Sequence, residues 1–216
     1  KASALLAGSA MLSSFPLAGA YASGSDTIKI ALIGCGDRGT GAAFQALSTK
    51  YNIKLVAMAD AFQDRIDKSY QALSSKFAAK MDVPKERQFV GFDAYKQAIP
   101  LADVVLLVTP PGFRPIHFEE AVKQNKQIFM EKPVAVDAPG IRKVLAAAEE
   151  AKKKKLNVVV GLQRRYQTNY REAMKRVNDG AIGDIMSGQV YWNSGGVWVN
   201  PRKAGQTEME YQMRNW

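Results

Sequence analysis

The stretch Ile28-Lys29-Ile30-Ala31-Leu32-Ile33-Gly34-Cys35-Gly36-Asp37-Arg38-Gly39 decides the fold. Its apolar, β-branched first half reads as a strand, and G-x-G-x-x-G comes directly after it without a break. The small-residue segment Thr40 to Leu47 then reads as a helix. Glycine-rich turns are common, so the signal lies in the strand–turn–helix context. Gly34 suits the tight turn, Gly36 lets a phosphate approach the backbone, and Gly39 lets helix and strand pack closely. Unpaired N–H groups at such a helix start face an anion, with the positive end of the helix dipole behind them. Gly34, Gly36, Asp37, Arg38 and Gly39 are therefore candidates for holding a dinucleotide pyrophosphate. Cys35 reads as a small filler rather than a nucleophile.

Further strands are predicted at Ile53–Ala59, Gln88–Val90, Val104–Thr109, Gln127–Met130 and Val158–Val160. Amphipathic stretches separate them, the pattern of a parallel sheet with helices on both faces. Ile66, Tyr70, Leu73 and Phe77 recur at helical spacing, and so do Ile141, Val144, Leu145 and Ala148. Val104 to Val108 has no polar face, as a central strand covered on both sides requires. The fold class is α/β, a doubly wound parallel sheet of the Rossmann type. Asp60 closes the second strand about 20 residues beyond Gly39, where an acidic side chain accepts from the adenosine ribose hydroxyls. Its charge would repel a 2′-phosphate, which favours NAD over NADP. Arg38 and Arg65 are the residues that would reverse that preference by neutralising a phosphate.

Composition narrows the alternatives. One cysteine excludes an intrachain disulfide, and one histidine with no Cys-x-x-Cys leaves zinc without its usual donors, so no metal site is expected. The net charge of +10 raises the question of nucleic acid. The densest basic run, Lys152 to Lys155, comes after Glu149 and Glu150 at a helix end and carries no interleaved aromatics, so it reads as a solvated helix terminus. Leu5 to Gly19 is apolar and small but too interrupted to span a bilayer stably, and alanines at 18, 20 and 22 offer A-x-A cleavage patterns. Residues 1–26 are thus expected to be a partial export signal and linker, the opening Lys-Ala-Ser-Ala-Leu-Leu resembling the segment just after the arginine pair of a twin-arginine signal. A periplasmic location would result.

Two further segments fall at strand C-termini, where open α/β sheets bind ligands: Thr109-Pro110-Pro111, with His117 shortly after it, and Glu131-Lys132-Pro133. With the glycine loop, this ordered set resembles the glucose–fructose oxidoreductase/inositol dehydrogenase/MocA (Gfo/Idh/MocA) family over about Ile28 to Tyr166. The resemblance implies an NAD(P)-dependent oxidoreductase acting on a sugar or cyclitol hydroxyl. It implies that Thr109, Pro110, His117, Glu131 and Lys132 lie near the cofactor, that Lys132 assists proton movement, and that Lys132–Pro133 is cis. On the residues alone, Lys132 is either an acid/base beside the reacting hydroxyl or a lysine satisfied by Glu131 or solvent. His117 is either a cofactor-loop histidine or one capping its own helix turn. Arg165 and Tyr166, at the crossing out of the sixth strand, either touch a sugar or fasten domains together.

The expected organisation is 1–26 signal and linker, 27–161 dinucleotide-binding domain, and 162–216 the start of a truncated α+β open-sheet substrate domain with its first strand at Met186–Trp192. The resemblance places a further catalytic Asp and His in that second domain. Neither has a counterpart here, so this chain by itself is expected to be inactive. Glycoside cleavage through transient oxidation, and a non-catalytic dinucleotide-binding module, are the competing readings. Homo-oligomerisation is expected only of a longer protein.

Overall fold

A computed structural model describes residues 26–197 and 199–215. Apart from Asp26, the expected export segment lies outside the described residues. In chain order the elements are β1 (Ile28–Ile33), α1 (Asp37–Leu47), β2 (Ile53–Asp60), α2 (Gln63–Phe77), β3 (Gln88–Val90), α3 (Ala94–Ala98), β4 (Val104–Leu107), α4 (Arg114–Lys123), β5 (Gln127–Met130), α5 (Ala138–Lys153), β6 (Val158–Val160), α6 (Gln163–Tyr166), α7 (Thr168–Asn178) and α8 (Glu208–Arg214). Short 3-10 turns join several of them.

All strand pairs are parallel, in the order β3-β2-β1-β4-β5-β6, so the chain leaves the central β1 toward one edge and later returns to build the other half. Strand alternation divides the core in two. Ala31, Ile33, Val105 and Leu107 point to the face covered by Tyr95, Phe118, Val122, Val144 and Ala147 of α3, α4 and α5. Ile30, Leu32, Leu55, Met58 and Leu106 point to the other, covered by Ala43 and Leu47 of α1 and Ile66 and Leu73 of α2. Burying Leu47, Ile66 or Leu73 completely stabilises the domain by about 1.5–3 kcal/mol each relative to exposure.

Three expectations need correction. β4 ends at Leu107, not Thr109, because the chain turns away into Pro110 and Pro111, which offer no amide to a ladder. In α5 the buried stripe is Val144, Ala147 and Ala151. Ile141 and Leu145 are exposed, since small residues let the helix approach the sheet through a different face. Met186–Trp192 is not a strand: no partner pairs with it among the described residues, and alternation without a partner cannot make a ladder. The basic run does more than meet solvent. Lys154 donates to the carbonyls of Val122 and Lys123, satisfying the end of α4.

Candidate cofactor-binding site

The sheet order reverses at β1, and a cleft of about 650 Å³ opens at the C-terminal ends of β1, β2 and β4, the crevice position of doubly wound folds. Its floor is the glycine loop. Gly34 has φ +97°, and a Cβ there would lie 2.6 Å from the Thr109 nitrogen, so only glycine fits. A Cβ on Gly39 would lie 1.8 Å from the Gly34 carbonyl oxygen, so the start of α1 rests directly on the turn. Gly36 differs: nothing lies within 4 Å of its Cβ position, and it caps α1 with no side-chain bond to the first amides. Those amides, an open cradle above them and the dipole behind are what a pyrophosphate requires.

Asp60 closes β2 beside the loop. Its carboxylate accepts from the Cys35 amide at 2.7 Å and from the Phe62 amide at 3.0 Å. Burial raises its pKa, and the two amides oppose that shift. Arg65 also lines the cleft and attracts the Asp60 charge. The Cys35 thiol is buried, and burial first, then Asp60, push its pKa well up, so it stays protonated and inert.

The opposite wall comes from the segments after β3 and β4. Thr109, Pro110, Phe113 and His117 line it together with Phe92 and Tyr95. Phe113 stacks at 5.8 Å on Phe92 and at 6.2 Å on His117, whose other neighbour is Tyr95 at 4.3 Å. His117 lies inside α4 rather than at its cap and shares a hydrogen bond of 3.1 Å between Nδ1 and the Thr109 hydroxyl. Burial, helped by the Arg114 charge, lowers its pKa to about 4, so the ring is neutral at physiological pH.

Arg38 lines the cleft, but its guanidinium is engaged by Glu131 at 2.7 Å, which joins α1 to the end of β5. A Cβ on Gly161 would fall 2.8 Å from the Glu131 carboxylate, so the residue after β6 is glycine to make room. Asp37 is on the rim, paired with Lys68 at 3.3 Å. Glu131, Lys132, Arg165 and Tyr166 are not among the lining residues. Lys132 is exposed and joined to Pro133 by a cis peptide bond, and Arg165 and Tyr166 are exposed on α6. Sequence reasoning missed the aromatic wall and the contribution of α8, where Arg214 stacks on Phe62 at 4.0 Å and forms paired hydrogen bonds of 3.0 Å to Asp64. Only Phe62, two residues past Asp60, stood where a signal existed. No cluster able to hold a metal occurs among the described residues.

Fold and site together define a dinucleotide-binding α/β domain. Residues 28–161 match the model of the Gfo/Idh/MocA family, described as an oxidoreductase family with an NAD-binding Rossmann fold, and the chain belongs to that family. Inositol 2-dehydrogenase of Ralstonia nicotianae is 34% identical over 161 residues, covering 73% of this chain and 43% of that protein. The inositol 2-dehydrogenase of Rhizobium meliloti is 28% identical over 159 residues, with coverage of 74% and 43%. Scyllo-inositol dehydrogenase from Lactobacillus casei, solved with NAD(H) and scyllo-inositol, superposes with a TM-score of 0.57 at 24% identity and shares the fold, covering 73% of this chain and 43% of that one. The chain thus spans less than half the length of the curated relatives it matches.

Proposed function

We propose that this chain supplies the cofactor half of an NAD-dependent oxidoreductase acting on a secondary hydroxyl of a cyclitol or related sugar. The observation that carries this reading is the open Gly36 cradle beside Asp60, within a domain of this family. Gly34, Gly36 and the first amides of α1 would hold the pyrophosphate, Asp60 the adenosine ribose, and the Thr109–Pro110 segment would border the remaining dinucleotide. When bound, NAD supplies the hydride acceptor. Two relatives named above are inositol 2-dehydrogenases, which supports a cyclitol over an open-chain alcohol. Lys132 comes just after β5, one residue from the Arg38–Glu131 pair, and is exposed outside the cleft lining; in this reading its ammonium would meet the substrate hydroxyl and hold or pass its proton.

The test is NADH formation from NAD with scyllo-inositol, myo-inositol and aldose controls, in a protein that joins this chain to a substrate domain, as wild type and as Lys132→Met. Cyclitol-dependent NADH formation that Lys132→Met abolishes, with NAD affinity kept, is the expected result. Unchanged turnover in Lys132→Met would remove the lysine from the reaction. The apolar run Leu5–Gly19 with its A-x-A patterns supports export, and the opening Lys-Ala-Ser-Ala-Leu-Leu a twin-arginine-type signal, which cell fractionation would check.

A further inference from the structure

Arg114, the first residue of α4, is 1% exposed and forms no ion pair among the described residues. Burying an unpaired guanidinium is costly unless its donors are used. Two of them are spent on backbone. Nη1 donates to the Leu107 carbonyl, and Nη2 to the Thr109 carbonyl at 2.7 Å. Leu107 also accepts from the Glu131 amide at 3.0 Å, and Val108 donates to Ile33 at 2.7 Å. The Val108–Thr109 peptide lies directly against Gly34, leaving no room for a Cβ there. Past Thr109 the chain runs into two prolines, so the next two residues bring no amide to its carbonyl. One planar fork thus fixes the peptide on which the glycine loop is folded, and a single lysine ammonium lacks that two-pronged geometry.

We propose that Arg114 is the positioning residue of the cofactor cleft: from beneath, it pins the Val108–Thr109–Pro110 segment against Gly34, so that dinucleotide affinity depends on a side chain that does not line the cleft. This rests on the dinucleotide reading above. It also makes Arg114 the cation whose charge bears on His117. The groups facing that imidazole are Arg114 from its own helix, the Tyr95 phenol from α3 and the Thr109 hydroxyl after β4.

The chain has one histidine, so its imidazole resonance is unambiguous by NMR. Wild type, Arg114→Met and Arg114→Lys are compared for NAD affinity by calorimetry, for the His117 titration midpoint and for thermal stability, with Val144→Ala as a core control outside the cleft lining. Arg114→Met should weaken NAD at least about tenfold and raise the His117 midpoint. Arg114→Lys should keep the midpoint near wild type and lose less affinity. Val144→Ala should lower the melting temperature alone. An Arg114→Met protein that melts earlier yet binds NAD like wild type overturns the proposal. If that variant does not fold, wild-type affinity in Arg114→Lys overturns it instead. A wild type that binds no NAD removes the dinucleotide reading rather than the role of Arg114.

Discussion

The amide of Cys35 donates to Asp60 Oδ2 at 2.7 Å, so the second residue of the glycine loop is held by the carboxylate that closes β2. One side chain therefore shapes the turn and presents a negative charge to the ribose end of the cleft. Replacing Asp60 by Ala should weaken NAD and narrow its advantage over NADP, because the charge that repels a 2′-phosphate is gone. Calorimetric titration with both dinucleotides checks this. An unchanged ratio would show that Arg65 and its surroundings set the preference.

Gly36 and Gly39 should fail in opposite ways. Gly36→Val meets no protein atom within 4 Å of its Cβ, so melting should stay close to wild type. The branched side chain would fill the pyrophosphate's approach, and NAD affinity should fall at least tenfold, about 1.4 kcal/mol.

Gly39→Ala instead drives a methyl to 1.8 Å from the Gly34 carbonyl oxygen. The turn or α1 must move, at about 1–3 kcal/mol by the usual penalty for overpacking. Chemical denaturation should show that loss without any ligand present. A Gly39→Ala protein as stable as wild type would mean that α1 does not rest on the turn.

His117 gives stability a pH dependence of known sign. Its pKa is about 4 folded, against an ordinary value near 6.5 for an unfolded chain. Between those values the unfolded chain takes up a proton that the folded one refuses. The stabilisation is complete above about 6.5 and is lost as pH falls toward 4, at up to about 1.4 kcal/mol per unit. His117→Asn should flatten the difference between melting at pH 7 and pH 5. A parallel pH profile for both proteins would place the imidazole in contact with solvent.

Much of the fold was legible because its signals are local. β1, the loop and α1 occupy neighbouring residues, and Asp60 sits at a fixed distance down the chain. Contacts across long separations leave no such trace in sequence. Arg38 and Glu131 each carry a signal as candidate cofactor residues, yet their pairing depends on how α1 and β5 meet in space. Arg114 carried no signal, because an arginine at a helix start looks like a solvated residue until its carbonyl partners are seen. The alternation of Met186–Trp192 resembled a strand, but alternation marks a two-faced segment and does not provide the neighbour that makes it a ladder. The α5 stripe was misplaced because Ala147 and Ala151 weigh little in a hydrophobic pattern and much in close packing.

Within the sheet, the ladder that joins β1–β3 to β4–β6 among the described residues runs from Ile30↔Val104 to Ile33↔Leu107. The cleft lies across the top of this seam, with Gly34, Gly36 and Asp60 on one side and Thr109, Pro110 and His117 on the other. A ligand spanning it braces two half-sheets that, within the sheet, are joined by this one short ladder. It would then suppress opening of the seam as well as fill a site. Amide hydrogen exchange at Leu32, Val105 and Leu106, which lie below the cleft rather than in it, should slow on addition of NAD, while that of β6 at the far edge should not.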